Sequence, residues 1–326
     1  MRRREFICLV GGTAASWPLA ARAQQPLMPV IGVLSNGTAA DKEDYMAAFY
    51  LALKEAGFVE SQNITIEYRY ANNQIDALPA LAADLVRKQV AVIFASSTDA
   101  GLAAKAATQT IPIVFAGGAD PARFGFAGNL NRPGGNMTGV SFLELETAAK
   151  RLEMLHEIVP QATRVGILVN PTVAQTEKDV RVARDAAGVL GLDLRVLNAS
   201  NEHEIDAAFA TLAQLHAEGL IISGGNYFTI EAHRLADLAA QYKIPGIFNV
   251  REFPAAGGLM SYGASPKEAY RIVGNYVGRI LKGEKPGELP VQETTKVELI
   301  INLKAAKALG ITIPLPLLGR ADEVIE

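Results

Sequence analysis

The chain has 326 residues, of which 49% are hydrophobic and 20% charged, with 31 basic against 34 acidic residues and a net charge of −3. Its length exceeds what one core usually serves, so two domains are expected. A slightly acidic chain without basic clusters in its body argues against nucleic acid and anionic membrane surfaces as partners.

The first segment reads as a secretory signal peptide. Arg2-Arg3-Arg4 precedes an uncharged run over 6–21, and Ala21-Arg22-Ala23 supplies the small residues of a cleavage point, placed after Ala23. The string Arg3-Arg4-Glu5-Phe6 also resembles a twin-arginine export signal, and the general secretory route stays open beside it. Cleavage would take four of the basic residues and one of the acidic ones, leaving a balance of −6. It would also take the sole cysteine, Cys8, so the mature chain is expected to have no disulfide, no cysteine nucleophile and no thiolate metal site. No later segment is apolar for long enough to span a bilayer. The expectation is a soluble periplasmic monomer without stable membrane insertion.

From Val30 the chain alternates short β-branched runs with helical stretches. Strands are expected at 30–34, 64–70, 90–95 and 113–116, with helices at 41–57, 76–88 and 99–108 between them. A break rich in glycine, asparagine and proline follows at 128–139. A second series then places helices at 145–158, 173–190, 203–217 and 230–242 and strands at 164–169, 192–197, 219–222 and 246–249. The tail carries a strand at 258–262, a helix at 266–282, a strand at 296–301 and a short helix at 303–309. Such βα repetition means parallel sheets covered on both faces, here as two doubly wound α/β lobes. Lobe 1 is expected to take 29–141 and about 264–285, and lobe 2 to take 142–263 and about 290–326. Hinge strands are expected near 138–142, 262–265 and 288–294.

Catalytic signatures are missing: no Walker loop, no G-x-G-x-x-G opening a helix, no H-E-x-x-H and no G-x-S-x-G. His156, His203, His216 and His233 all fall on predicted helices, without partners at metal-binding spacing. What recurs is a small polar cluster beyond each strand's carboxyl end, where an open parallel sheet binds ligands. In the first half these clusters contain Ser35 and Asn36, then Ser96, Ser97 and Thr98, then Gly117 and Asp120. In the second half they contain Asn170, then Gly225, Asn226 and Tyr227, then Asn249 and Arg251. Ser141, at the expected hinge, joins the candidate set. Ser, Asn and Thr also cap helices, so each position carries two readings, cap or ligand contact. For the set, the glycines that permit close backbone approach favour a binding cleft. Tyr227 and Tyr262, beside polar or glycine-rich turns, are candidates for stacking on a ligand, whereas Phe142 and Phe248 continue apolar strands and read as core. Arg251 with Glu252 reads either as a clamp on a zwitterion or as a hinge ion pair.

Asp120-Pro121, Asn131-Arg132-Pro133-Gly134-Gly135-Asn136, Thr138-Gly139-Val140-Ser141, Lys150-Arg151-Leu152-Glu153 and Gly257-Gly258-Leu259-Met260-Ser261-Tyr262-Gly263 together resemble the substrate-binding proteins of ABC transporters that include tryptophan and tyrosine binders. The closing 301–314 and Arg320-Ala321-Asp322-Glu323 are similar to that family's C-terminal segment. The resemblance implies a periplasmic binding protein fold of type I, two lobes on a multi-strand hinge with a ligand between them. It further implies a small polar or aromatic solute, an inner-membrane ABC permease as partner, and neither cofactor nor metal. A sensory ligand-binding protein serving a membrane receptor is the alternative, and a secreted enzyme with a dispersed site is a third reading.

Overall fold

Runs such as Val-Ile-Gly-Val-Leu-Ser and Val-Ile-Phe-Ala are buried on both sides, which only a parallel sheet sandwiched by helices can satisfy. In a computed structural model, the described residues are 28–326 other than 41, 42, 119, 143, 174, 175 and 295. The expected signal peptide, its cleavage point and Cys8 lie outside them.

Lobe 1 contains β1 (Val30–Ser35), α1 (Glu43–Glu55), β2 (Thr65–Tyr70), α2 (Leu78–Arg87), β3 (Val92–Ala95), α3 (Thr98–Ala107), β4 (Ile113–Gly117) and β5 (Met137–Ser141). Lobe 2 contains α4 (Glu144–Ile158), β6 (Arg164–Val169), α5 (Thr176–Leu190), β7 (Asp193–Asn198), α6 (Glu202–Gln214), β8 (Gly219–Ile222), α7 (Asn226–Ile230), α8 (Ala232–Gln241), β9 (Gly246–Phe248), α9 (Glu252–Ala255) and β10 (Met260–Ala264). The tail divides between them. Helix α10 (Pro266–Leu281) and β11 (Gln292–Glu293) return to lobe 1, while β12 (Val297–Asn302), α11 (Leu303–Ala308), α12 (Leu315–Leu318) and β13 (Glu323–Ile325) complete lobe 2.

The lobe 1 sheet runs β11-β5-β4-β3-β1-β2 with every pair parallel. The lobe 2 sheet runs β13-β12-β10-β9-β8-β6-β7, and only the β10–β12 pair is antiparallel. Each sheet has a hydrophobic cluster on either face. In lobe 1 one face packs Phe49, Phe94, Val273 and Tyr276 beneath α1 and α10, and the other packs Leu85, Ile93, Ala104 and Phe115 beneath α2 and α3. In lobe 2 the clusters centre on Leu155, Ile167 and Ile301, and on Phe209, Phe228 and Phe253.

The chain crosses between lobes after β5, after β10 and after β11. The crossings lie side by side and are bonded to one another: Thr294 N–H donates to the Ser141 carbonyl at 3.0 Å, and Ser265 N–H to that of Lys296 at 3.0 Å. The third crossing lies later than the expected 288–294. Tyr276 donates to the Pro290 carbonyl at 2.6 Å, Thr138 to that of Leu289 at 2.8 Å, and β11 pairs with β5, so 290–293 belongs to lobe 1. Strand β5 occupies the end of the expected irregular break. Its Met-Thr-Gly-Val-Ser composition carries no β-branched run, yet Gly139 is needed there, because a Cβ would sit 2.1 Å from the Phe115 carbonyl oxygen. The short elements α7, α9, α12, β11 and β13 have too few residues for a period to register in the sequence.

Helix α10 joins lobe 1 through a close approach to α1. A Cβ on Gly274 would lie 2.6 Å from the Phe49 carbonyl oxygen, and one on Gly278 would lie 2.5 Å from the Ala56 Cβ. Glycines one helical turn apart therefore set the spacing of this helix pair. Gly274→Val is expected to force α10 off α1 and lower stability by about 1–3 kcal/mol, read from the urea midpoint.

Candidate functional site

The carboxyl ends of both sheets face one cavity of about 160 Å³. From lobe 1 it is lined by Asn36 after β1, by Ser96, Ser97, Thr98 and Asp99 between β3 and α3, and by Ala116, Gly117 and Gly118 at the end of β4. Tyr45, Phe124, Phe142, Pro266 and Tyr270 add its apolar surface. Lobe 2 contributes Val173, Asp179, Gly224, Gly225, Thr229, Asn249 and Val250.

Local physics explains these positions. Ser97 caps α3, its hydroxyl accepting from Ala100 N–H at 3.1 Å, while the same residue lines the cavity, so cap and lining coincide. Gly117 is required because a Cβ would lie 2.7 Å from Thr98 Oγ1 and 2.9 Å from Thr98 N. Tyr270 is held by an edge contact with Phe94, with centroids 5.1 Å apart at 84°, and by Tyr45 at 5.6 Å. Across the cleft, the Tyr45 hydroxyl donates to Glu252 Oε1, tying α1 of lobe 1 to α9 of lobe 2.

Burial leaves this lining short of partners. Asn36 Oδ1, Asp179 Oδ1 and Asn249 Oδ1 are shielded from solvent without a hydrogen bond, while the buried Tyr270 hydroxyl and Ser96 Oγ face each other. Each such atom costs about 1–3 kcal/mol, and the great majority of buried polar atoms elsewhere in proteins are paired. Asp179 is only 6% exposed. Its Oδ2 accepts from Ser223 Oγ at 3.0 Å, and its Oδ1 faces no donor. Burial pushes its carboxyl above the ordinary value, against smaller opposing effects of the Ser223 bond and of Arg151 and Lys178. Burial also raises Asp99.

Of the residues expected at the ligand, the fold brings Asn36, Ser96, Ser97, Thr98, Gly117, Gly225 and Asn249 into the lining. The side chain of Asn226 lies outside the described part of the structure. Three of the others serve their own loops. Ser35 is buried and its hydroxyl accepts from Gly37 N–H, Asp120 accepts from the N–H groups of Ala122 and Arg123, and Asn170 Oδ1 accepts from Thr172. Ser141 accepts from Thr294 at the crossing. Tyr227 packs against the lobe 2 core beside Phe228, outside the cavity lining, and Tyr262 packs against the other lobe 2 cluster. Arg251 is turned to Glu323 in a two-pronged ion pair at 2.7 and 3.0 Å, and Glu252 reaches Tyr45. Phe142, read as core, lines the cavity because β5 ends one residue before it.

Sequence reasoning missed Asp99, Asp179, Tyr270 and Thr229. Asp179 did carry a signal: with Ala183 and Ala187 it forms the buried stripe of α5 at spacing four, and an acid on an apolar stripe calls for a partner.

Two α/β lobes, three bonded crossings and an underbonded cavity between facing strand ends define a two-lobed solute receptor. The chain belongs to the ABC transporter substrate binding protein family, whose model matches residues 36–325. It is 27% identical over 262 residues to a tyrosine-binding protein of Clostridioides difficile, covering 80% of this chain and 75% of that one. Among solved structures, a conserved domain protein from Vibrio cholerae matches with a TM-score of 0.85 at 26% identity, covering 91% of this chain and all of the other. An ABC domain from Streptococcus pneumoniae in complex with L-Trp matches with a TM-score of 0.84 at 22% identity over 92% of this chain and all of that one, a likeness of fold.

Because the native carboxyls of Asp179 and Asp99 sit above their unfolded values, protons are held more tightly by the folded chain. The unliganded protein therefore loses stability as pH rises from the ordinary carboxylate range through the raised native values. Asp179→Asn removes one of these groups. The fall in urea midpoint between about pH 4 and pH 7 is expected to be smaller in the variant than in the parent.

Proposed function

We propose that this chain is exported to the periplasm, closes around a small solute with an apolar or aromatic body and a polar head, and presents it to an inner-membrane ABC permease without chemically changing it. The carrying observation is that Asn36, Asp179 and Asn249, drawn from both lobes and each with a solvent-shielded oxygen without a hydrogen bond, line one cavity beside Tyr45, Phe142 and Tyr270. A ligand supplies their missing partners while its body covers the rings. The tyrosine-binding relative supports free aromatic amino acids as the first solutes to try. No described helix is long and apolar enough to cross a membrane, in keeping with a diffusing receptor.

A thermal-shift screen of amino acids, aromatic acids, nucleosides and sugars tests the reading. At a hundredfold excess over Kd, a cognate ligand stabilises by about 2.7 kcal/mol, a shift of several degrees. Silence across all four classes would sink it, and turnover of a bound compound would replace it with an enzyme.

Closure is expected to depend on the Tyr45–Glu252 bond, since each partner sits on a different lobe. Tyr45→Phe keeps the ring and removes the donor. Affinity for any ligand found in the screen should fall by about tenfold, measured by calorimetry.

A further inference from the structure

Asn36-Gly37 is the sole Asn-Gly pair in the sequence, and the fold sets it at the carboxyl end of β1 with Asn36 in the lining of the cavity. Such a pair can react with itself, because a glycine nitrogen has no Cβ beside it to block its approach to the preceding side-chain carbonyl. Here the backbone around the pair is clamped from the end of β2. Ala71 N–H donates to the Ser35 carbonyl at 2.9 Å, Asn73 N–H to that of Asn36 at 2.7 Å, and Asn72 N–H to that of Gly37 at 3.2 Å. Asn72 and Asn73 make these bonds from left-handed backbone, with φ of 47° and 66°, a conformation that asparagine tolerates better than most residues. The attacking atom, Gly37 N, is restrained differently. Its N–H donates to the Ser35 hydroxyl at 3.2 Å, the long end of the normal range, and Ser35 is 1% exposed, so water does not compete for the bond. The target is unrestrained at its oxygen: Asn36 is 5% exposed and its Oδ1 has no hydrogen bond.

We infer that Asn36-Gly37 is a self-modification site and that the Ser35 hydroxyl is the positioning group that holds it in check. When the Ser35 bond opens, Gly37 N forms a bond to Asn36 Cγ and the Cγ–Nδ2 bond breaks. The Gly37 proton passes through solvent to the leaving nitrogen, which departs as ammonia, and a cyclic imide remains. Water then opens the imide. Cleavage of its N–Cγ bond gives aspartate at 36, and cleavage of its bond to the Asn36 backbone carbonyl carbon gives isoaspartate, with the chain routed through the side chain. Nothing is oxidised or reduced, and water is consumed and ammonia released in equal amounts. Either product adds a carboxylate at position 36, beside a lining whose described residues include Asp99 and Asp179 and no lysine, arginine or histidine. Without a counter-charge there, shielding the modified cavity from water costs more than shielding the original. The reaction thus marks the cleft irreversibly with the age of the molecule, whatever the cavity holds.

The test holds the folded mature chain at mildly alkaline pH and follows the tryptic segment 24–42, in which Asn36 is the only asparagine, by mass spectrometry with isoaspartate resolved from aspartate. Asn36 is expected to convert ahead of the exposed Asn63 and Asn198, whose followers Ile64 and Ala199 carry side chains. Ser35→Ala frees the Gly37 N–H and should raise the Asn36 rate about fivefold, the worth of one ordinary hydrogen bond, with Asn63 and Asn198 left at their parental rates. Ser35→Thr keeps the hydroxyl and should convert at the parental rate. In urea, where the clamp is gone, parent and Ser35→Ala should convert equally fast, and Gly37→Ala several-fold more slowly than either. Conversion of Asn36 in the folded parent no faster than that of Asn63 and Asn198, or a Ser35→Ala rate equal to the parent's, overturns the inference. So does a rise in Ser35→Ala shared by all three asparagines, which assigns the effect to loss of fold, or a Ser35→Thr protein as fast as Ser35→Ala. None of these outcomes bears on the receptor reading, which the thermal-shift screen decides.

Discussion

All strands of a parallel sheet end on the same edge, and the rest of this molecule depends on that constraint. Each βα connection must turn at that edge, where the strand's last carbonyls and the next helix's first N–H groups are left to find partners. Two such sheets placed edge to edge concentrate these groups in one space. Side chains quench part of the demand: Ser35, Asp120 and Asn170 each turn back on their own loops. What remains unquenched, on Asn36, Asp179 and Asn249, lines the cavity between the lobes. The division between loop-keeping and ligand-facing residues follows from geometry within a few residues of each strand end, not from residue type.

Affinity and hinge motion are linked by the same atoms. When the lobes stand apart, water reaches the polar lining; when they meet, it does not, and the lining becomes costly unless a solute is there. The Tyr45–Glu252 contact opposes this by giving the closed form one bond of its own. In the proposed receptor, balance between the two would set how far the empty protein stays open, and a solute would tip it by supplying donors that the lining lacks.

Much of the architecture was legible because buried parallel strands leave an unmistakable mark: Arg164–Val169 and Gly219–Ile222 were read to the residue. Less was legible where the backbone, not the side chains, fixes an element. The Met137–Ser141 strand, expected only as a hinge strand near 138–142 at the end of a loop of glycines and prolines, is held by the space available beside Phe115. The site was readable as a set of turns but not as a set of contacts. Ser96 through Thr98 and Gly117 face the cavity while Arg251, an equally good candidate on paper, finds Glu323 seventy-two residues away in sequence, and nothing in its neighbours announces that partner. Asp179 lies inside a helix, one turn beyond the loops in which a reader looks for ligands.

The return of α10 to α1 has a consequence for how the protein is made. Lobe 1 is assembled from two stretches separated by the whole of lobe 2, and Gly274 meets Phe49 only after more than two hundred residues have intervened. A ribosome that has released the first 141 residues has delivered five strands and α1, with α10 still missing from the face that α1 covers only in part. That face, with Phe49 and Phe94 on it, stays sticky until nearly the whole chain has emerged. Lobe 2 is continuous through β10 but takes β12 and β13 from the end of the chain, so both lobes wait for the tail before their sheets are complete.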